Sequence, residues 1–169
     1  MAKEITIAYS FKVGSESVAN AMNNSSRTKV YTPIINYAGG GSLATTRERM
    51  REAVKSKKKW EDFQKEQNMC KVLAKEHGFE IVHRQGDGEN GNTYDIIING
   101  VKADLKRTAG YGNLHNYAKK ATTEQGASIT IFQFDIDVPE LHTAIDSLTR
   151  RGYHGYYFFT GRERILHSY

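Results

Sequence analysis

A chain of 169 residues, 25% charged and 38% hydrophobic, fits one domain with at most a small appendage and is long enough to bury a core. Its single cysteine, Cys70, excludes an internal disulfide and a cysteine-based zinc site; the six histidines, at 77, 83, 115, 142, 154 and 167, show no close metal spacing, so a metal here would be held mainly by oxygen. The net charge of +5 is uneven: residues 1–60 hold eleven Lys or Arg against four Glu, whereas residues 61–169 hold thirteen against fifteen acids.

Met1-Ala2-Lys3-Glu4 runs straight into ITIAYSF, without an apolar segment of signal-peptide or membrane-spanning length. A soluble, by default cytoplasmic, chain with no membrane partner is therefore expected; delivery by a host particle or secretion system stays open. EITIAYSFKV reads as a strand, SESVANAMNN as a short helix and TKVYTPIINY as a strand. Gly39-Gly40-Gly41 lacks the GK[ST] ending of a phosphate-binding loop and reads as a flexible joint.

Thr45 with Glu48 makes a capping box that opens a helical region, which runs with a break near Ser56 to Gly78. Its first part, RERMREAVKSKKK, gathers Arg47, Arg49, Arg51, Lys55, Lys57, Lys58 and Lys59. Such a stripe is the electrostatic footprint of a polyanion binder, with a solvated charged helix as the other reading. In the second part Trp60, Phe63, Cys70 and Leu73 fall on one helix face. Glu66 lies within or beside that face, where its charge either needs a partner or reaches water at the edge.

FEIVHR follows as a strand, then the loop QGDGENGN, then YDIIINGVKADLKR. Asn99-Gly100 between two strand-like runs is the signature of a two-residue type I′ turn, and that length fixes a register. Ile98 is set against Val101, Ile96 against Ala103 and Asp95 against Asp104. Alternation puts Ile96, Ile98, Val101, Ala103 and Leu105 on an apolar face and Asp95, Asp104 and Lys106 on the other. Opposed like charges destabilise such a pair. Either the face is solvated, with Lys106 as a screened partner, or a hard divalent cation bound by carboxylate oxygens compensates.

GNLHNYAKKATTEQG then reads as a helix with Leu114, Tyr117, Ala118 and Ala121 inward and Gly126 as its stop, and ASITIFQF as a buried strand. Pro139 opens a further helix through Leu141, Ile145 and Leu148 to Gly152, and YHGYYFF with RILHS closes the chain as a hairpin. From residue 61 the order is helix, strand, strand, strand, helix, strand.

Asp95 on one strand and Asp104-Leu105-Lys106 on the next resemble the D…(D/E)xK signature of the PD-(D/E)XK nuclease superfamily, with Tyr94 where the signature has Pro. The wider run, LAKEHGFEIVHR, DIIINGVKADLKRT, a Lys-rich helix and ASITIFQF, is similar to the C-terminal tRNA-nuclease domains of CdiA-type contact-dependent inhibition toxins. The resemblance covers residues 61–169 and implies an α+β, restriction-endonuclease-like αβββαβ core with a mixed central sheet flanked by helices. Residues 1–60 are left as a basic αβ extension.

It further implies a metal-dependent nuclease, with RNA, tRNA in particular, favoured over DNA, and a toxin role with an immunity or inhibitor protein as partner. Asp95 and Asp104 would be the carboxylates for Mg²⁺ or Mn²⁺, Lys106 the catalytic lysine and Glu66 an additional catalytic and metal-binding acid. The basic stripe with Lys119 and Lys120 would hold the polyanion, and Thr108, Asn116, Gln133 and Lys119 would rim the site. A non-catalytic nucleic-acid-binding or assembly module of the same fold is the alternative.

Overall fold

The computed structural model describes residues 4–7, 30–89 and 91–169, with side chains from Ile34 onward. The expected helix SESVANAMNN lies outside the described residues. The chain divides into two compact units, one of residues 1–85 and 95–101, the other of residues 86–94 and 102–169. Both mix helix and strand, so the class is α+β as expected.

In the first unit β1 (Glu4–Ile7), β2 (Val30–Tyr37) and β3 (Ser42–Thr46) pair antiparallel in turn; β4 (Glu80–His83) runs parallel to β3, and β5 (Ile96–Ile98) antiparallel to β4. The β2–β3 register shifts between Tyr31 and Ile35, around Pro33, which has no N–H to give the ladder. Helices α1 (Arg47–Ala53) and α2 (Lys57–His77) follow β3. The break between them falls where expected: the Ser56 hydroxyl accepts from Lys59 N at 3.2 Å and caps α2. Gly78, with φ 72°, ends it.

Three local expectations are corrected here. β3 was not anticipated, because SLATT has a single large apolar residue, yet all five residues are buried. The cap of α1 is consequently Thr46, whose hydroxyl accepts from Arg49 N at 3.2 Å, in place of Thr45. The triglycine is a tight turn and not a flexible joint: Tyr37 N donates to Gly41 O at 2.8 Å and Gly40 N to Tyr37 O at 3.0 Å. A Cβ on Gly41 would lie 1.8 Å from the carbonyl oxygen of Ala74, so glycine lets β3 approach α2.

Asn99 and Gly100 both take positive φ, 45° and 83°, as a type I′ turn requires. Asn99 does more than turn: its N–H donates to Glu80 O at 2.9 Å and its Oδ1 accepts from Glu80 N at 2.8 Å, tying the turn to the start of β4. Along the expected apolar face Ile96 and Ile98 are buried, but Val101 beside the turn is exposed.

In the second unit β6 (Val101–Thr108), which belongs to it from Lys102 on, β7 (Ile129–Phe134) and β8 (Gly155–Phe159) run parallel, and β9 (His167–Ser168) closes antiparallel on β8. Parallel neighbours need crossovers, supplied by α3 (Leu114–Thr123) and α4 (Pro139–Arg150). Leu114 and Ala118 of α3 and Leu141, Ile145 and Leu148 of α4 pack with Phe132, Phe134, Tyr157 and Phe159 in one core. The helix-strand order from α2 to β7 is the expected αβββαβ.

Candidate functional site

Glu66 is held by two partners at its carboxylate. On α2 it stands one turn after Phe63 and one before Cys70, both buried, so helical spacing forces its carboxylate to the edge of the core. It does not stand alone there. Its Oε2 accepts from Arg49 Nη2 at 2.8 Å and lies 2.8 Å from His83 Nε2.

His83 is fully buried, and its other nitrogen, Nδ1, lies 2.6 Å from the Gln67 amide, which also meets Thr45. Arg49 Nε reaches His83 Nε2 at 3.3 Å and Nη1 reaches Gln85 Oε1 at 3.4 Å. Thr45, Arg49, Glu66, Gln67, His83 and Gln85 thus form one polar network beneath the sheet of the first unit. Both ligands of Glu66 use Oε2, and Oε1 takes part in neither bond.

The charges follow from this geometry. Burial raises the Glu66 carboxyl, but the His83 hydrogen bond and the Arg49 charge outweigh it, and the group is held below the usual carboxylate range. Burial pushes His83 down; its bond to Glu66 opposes the shift and Arg49 adds to it, leaving a neutral imidazole. A neutral ring that serves the carboxylate carries its proton on Nε2, so Arg49 Nε makes no hydrogen bond to that atom, and the Gln67 oxygen 2.6 Å from Nδ1 gives way by an amide flip to the nitrogen. Cys70, wholly buried, has its thiol pushed well up by burial and by the negative charges of Glu66 and Asp95. Both acids therefore act on one interior position, and Cys70 is no nucleophile.

Arg49 leaves the basic stripe to which the sequence assigned it: 8% exposed, it is committed to Glu66 and covers the Phe63 ring. Arg47, Arg51, Lys55, Lys57, Lys58 and Lys59 stay exposed. Lys55 and Lys59 both pair with Glu52, whose carboxyl is lowered to about 2 by its hydrogen bonds to them. Trp60, expected on the inner face of α2, is 38% exposed.

In the second unit Asp104 and Lys106 lie on the same side of β6 as Thr108. Parallel register sets Asp104 beside Thr130 and Lys106 beside Phe132, so this is the side that faces α3 and α4. Asp104 is 7% exposed. Lys106 holds its Nζ 4.4 Å from the centre of the Tyr117 ring on α3. Asn116, Lys119 and Lys120 are exposed on that helix.

Gln133 is in register with Arg107, on the opposite side from Asp104 and Lys106. There its amide donates to Thr160 Oγ1 at 2.9 Å, and Arg107 Nε meets Asp135 at 3.0 Å. Tyr94, at the Pro position of the signature, is buried, and its N–H donates to Gln125 O at 3.1 Å.

A metal would have to be held by few protein ligands, since among the described residues no three His, Cys, Asp or Glu side chains gather as a metal-holding group. The donor chemistry nevertheless suits a hard cation. Asp104 is a buried carboxylate, and the hydroxyl of its register neighbour Thr130, also buried, has no hydrogen-bond partner among the described residues. Mg²⁺ is satisfied by one or two carboxylates and keeps several waters.

His83, the inward turn of Arg49, and Tyr117 beneath Lys106 were not foreseen as site residues. For His83 a signal existed, a polar residue inside the apolar run EIVH, but nothing local tied it to Glu66, 17 residues earlier.

The solved structure of the CdiA-CT/CdiI toxin and immunity complex from Burkholderia pseudomallei is similar to this chain, with 15% identity, 69% of this chain and 89% of that chain covered, and a TM-score of 0.49. No family model matches the chain, and neither does any curated protein. None of the helices described is long and apolar enough to cross a membrane.

Proposed function

We propose that the protein is a metal-dependent nuclease that hydrolyses phosphodiester bonds in RNA, with tRNA the favoured substrate. The observation that supports this best is the Asn99-Gly100 turn: with both residues at positive φ, its two-residue length is the one for which the sequence register opposes Asp95 and Asp104. Under that register the two aspartates would hold Mg²⁺ or Mn²⁺. When bound, such an ion supplies Lewis acidity at a phosphoryl oxygen and lowers the pKa of a water.

The remaining work falls to side chains. Lys106, held over Tyr117, offers its ammonium to the charge that grows on the phosphate. Glu66, fixed through Oε2, keeps Oε1 for a water. Arg47, Arg51, Lys57, Lys58, Lys119 and Lys120 hold the polyanion by salt-sensitive contacts, all of them exposed. A toxin role, with an immunity protein as partner, is proposed on the sequence resemblance.

Purified protein incubated with tRNA, total RNA and plasmid, with and without Mg²⁺, tests the reading. Cleavage of RNA should need the ion and be lost in Asp104→Ala and Lys106→Ala. If both variants fold and cut as fast as wild type, the assignment falls. The absence of a three-ligand group among the described residues favours a second reading, a non-catalytic nucleic-acid-binding module. Binding unchanged by chelation, without cleavage in Mg²⁺ or Mn²⁺, would select it.

A further inference from the structure

Trp60 is the chain's single tryptophan, and it opens α2 beside Lys57 and Lys58. One face of its indole is used. The ring stacks on Phe63 with centroids 5.3 Å apart and 26° between planes, and Phe63 stacks in turn on the buried His83 at 5.2 Å and 4°. The ladder starts at a histidine bonded to Glu66 and ends at an indole 38% exposed.

A large apolar ring left this open is not completing a core. Its charged neighbours suggest what it meets. Lys59 is turned to Glu52, whereas Lys57, 92% exposed, has among the described residues only a 4.0 Å approach to Glu61. Exposed lysines flanking a supported aromatic ring combine the two elements of single-strand recognition, a cation for the phosphate and a π-face for the base. Because Phe63 already fixes the indole, little side-chain freedom is lost on docking.

We infer that Trp60 is the stacking platform for one unpaired base of a bound RNA strand, with Lys57 and Lys58 gripping the adjoining phosphates. This rests on the nucleic-acid part of the proposed function and not on cleavage. Stacking of this kind accepts every base, so the platform sets the position of a strand and not its sequence.

The lone tryptophan makes the test direct. Full-length protein is titrated in chelator, so that nothing is cut, with a short oligouridylate or with an abasic ribose-phosphate oligomer of equal length. The base-bearing strand should quench the indole emission at saturation, and the abasic one should bind without quenching. By anisotropy of a labelled oligouridylate, Trp60→Leu should bind roughly tenfold more weakly, with most of the affinity recovered in Trp60→Phe.

Equal quenching by both oligomers, binding without quenching, no binding of oligouridylate, or wild-type affinity in Trp60→Leu would each overturn the platform. The two readings fail separately. Protein that quenches but never cuts RNA in Mg²⁺ keeps the platform and loses the nuclease; protein that cuts without quenching does the reverse.

Discussion

Glu66 Oε2 and His83 Nε2 lie 2.8 Å apart in the first unit, and Arg49 makes that pairing tenable by reaching the same oxygen at 2.8 Å. A carboxylate in partial burial needs charge as well as a hydrogen bond. The neutral imidazole supplies only the bond.

Arg49→Ala should therefore cost about 2–4 kcal/mol, because it leaves Glu66 uncompensated. Arg51→Ala, two residues on and exposed, should stay within about 0.5 kcal/mol of wild type. Urea unfolding midpoints compare the two, and equal midpoints would mean that the ion pair contributes nothing to stability.

The pH dependence has a defined sign. Native His83 titrates below its ordinary value of 6.5, so the unfolded chain takes up a proton before the folded one does. Its contribution is complete above that value and is lost as pH falls from there through the lowered native value. Glu66, held below 4.5, adds a second loss at lower pH, as pH falls through its native value. Unfolding free energies from about pH 8 to about pH 5 should decline in wild type and decline less in His83→Gln. Parallel curves would place the titration elsewhere.

What the sequence reveals and what it conceals divide along one physical line. The type I′ turn, the Ser56 break, the αβββαβ order and the Pro139 start of α4 are written in residues next to one another. β3, Trp60 and Arg49 are decided by partners distant in sequence. Small SLATT residues become a strand because β4 lies parallel to them. Arg49 turns inward because Glu66 and His83, 17 and 34 residues on, await it. The sequence leaves Glu66 either paired or at a water-facing edge; it is paired, and the partner comes from the stripe assigned to the polyanion.

Two glycines should respond to alanine in different ways. At Gly100 a Cβ meets nothing within 4 Å, so only the positive φ of 83° is strained, at a cost of about 1 kcal/mol. At Gly41 the same Cβ meets the Ala74 carbonyl, and backbone on α2 cannot swing aside. Gly41→Ala should lose about 3 kcal/mol or more. Thermal midpoints that fall equally would contradict the close approach of β3 to α2.

Lys106 provides the sharpest link between packing and the proposed chemistry. Its ammonium sits 4.4 Å from the Tyr117 ring centre, and a cation over an aromatic face is held by the ring's quadrupole while its N–H groups remain able to donate. Tyr117→Phe keeps the face and should cleave tRNA within about twofold of wild type. Tyr117→Leu keeps the apolar cover on the core of the second unit but frees the ammonium. At roughly 1.4 kcal/mol for the lost interaction, its kcat should fall about tenfold with KM little changed. Steady-state cleavage by the two variants decides the matter: matching rates would show that the ring packs the core without aiming the lysine.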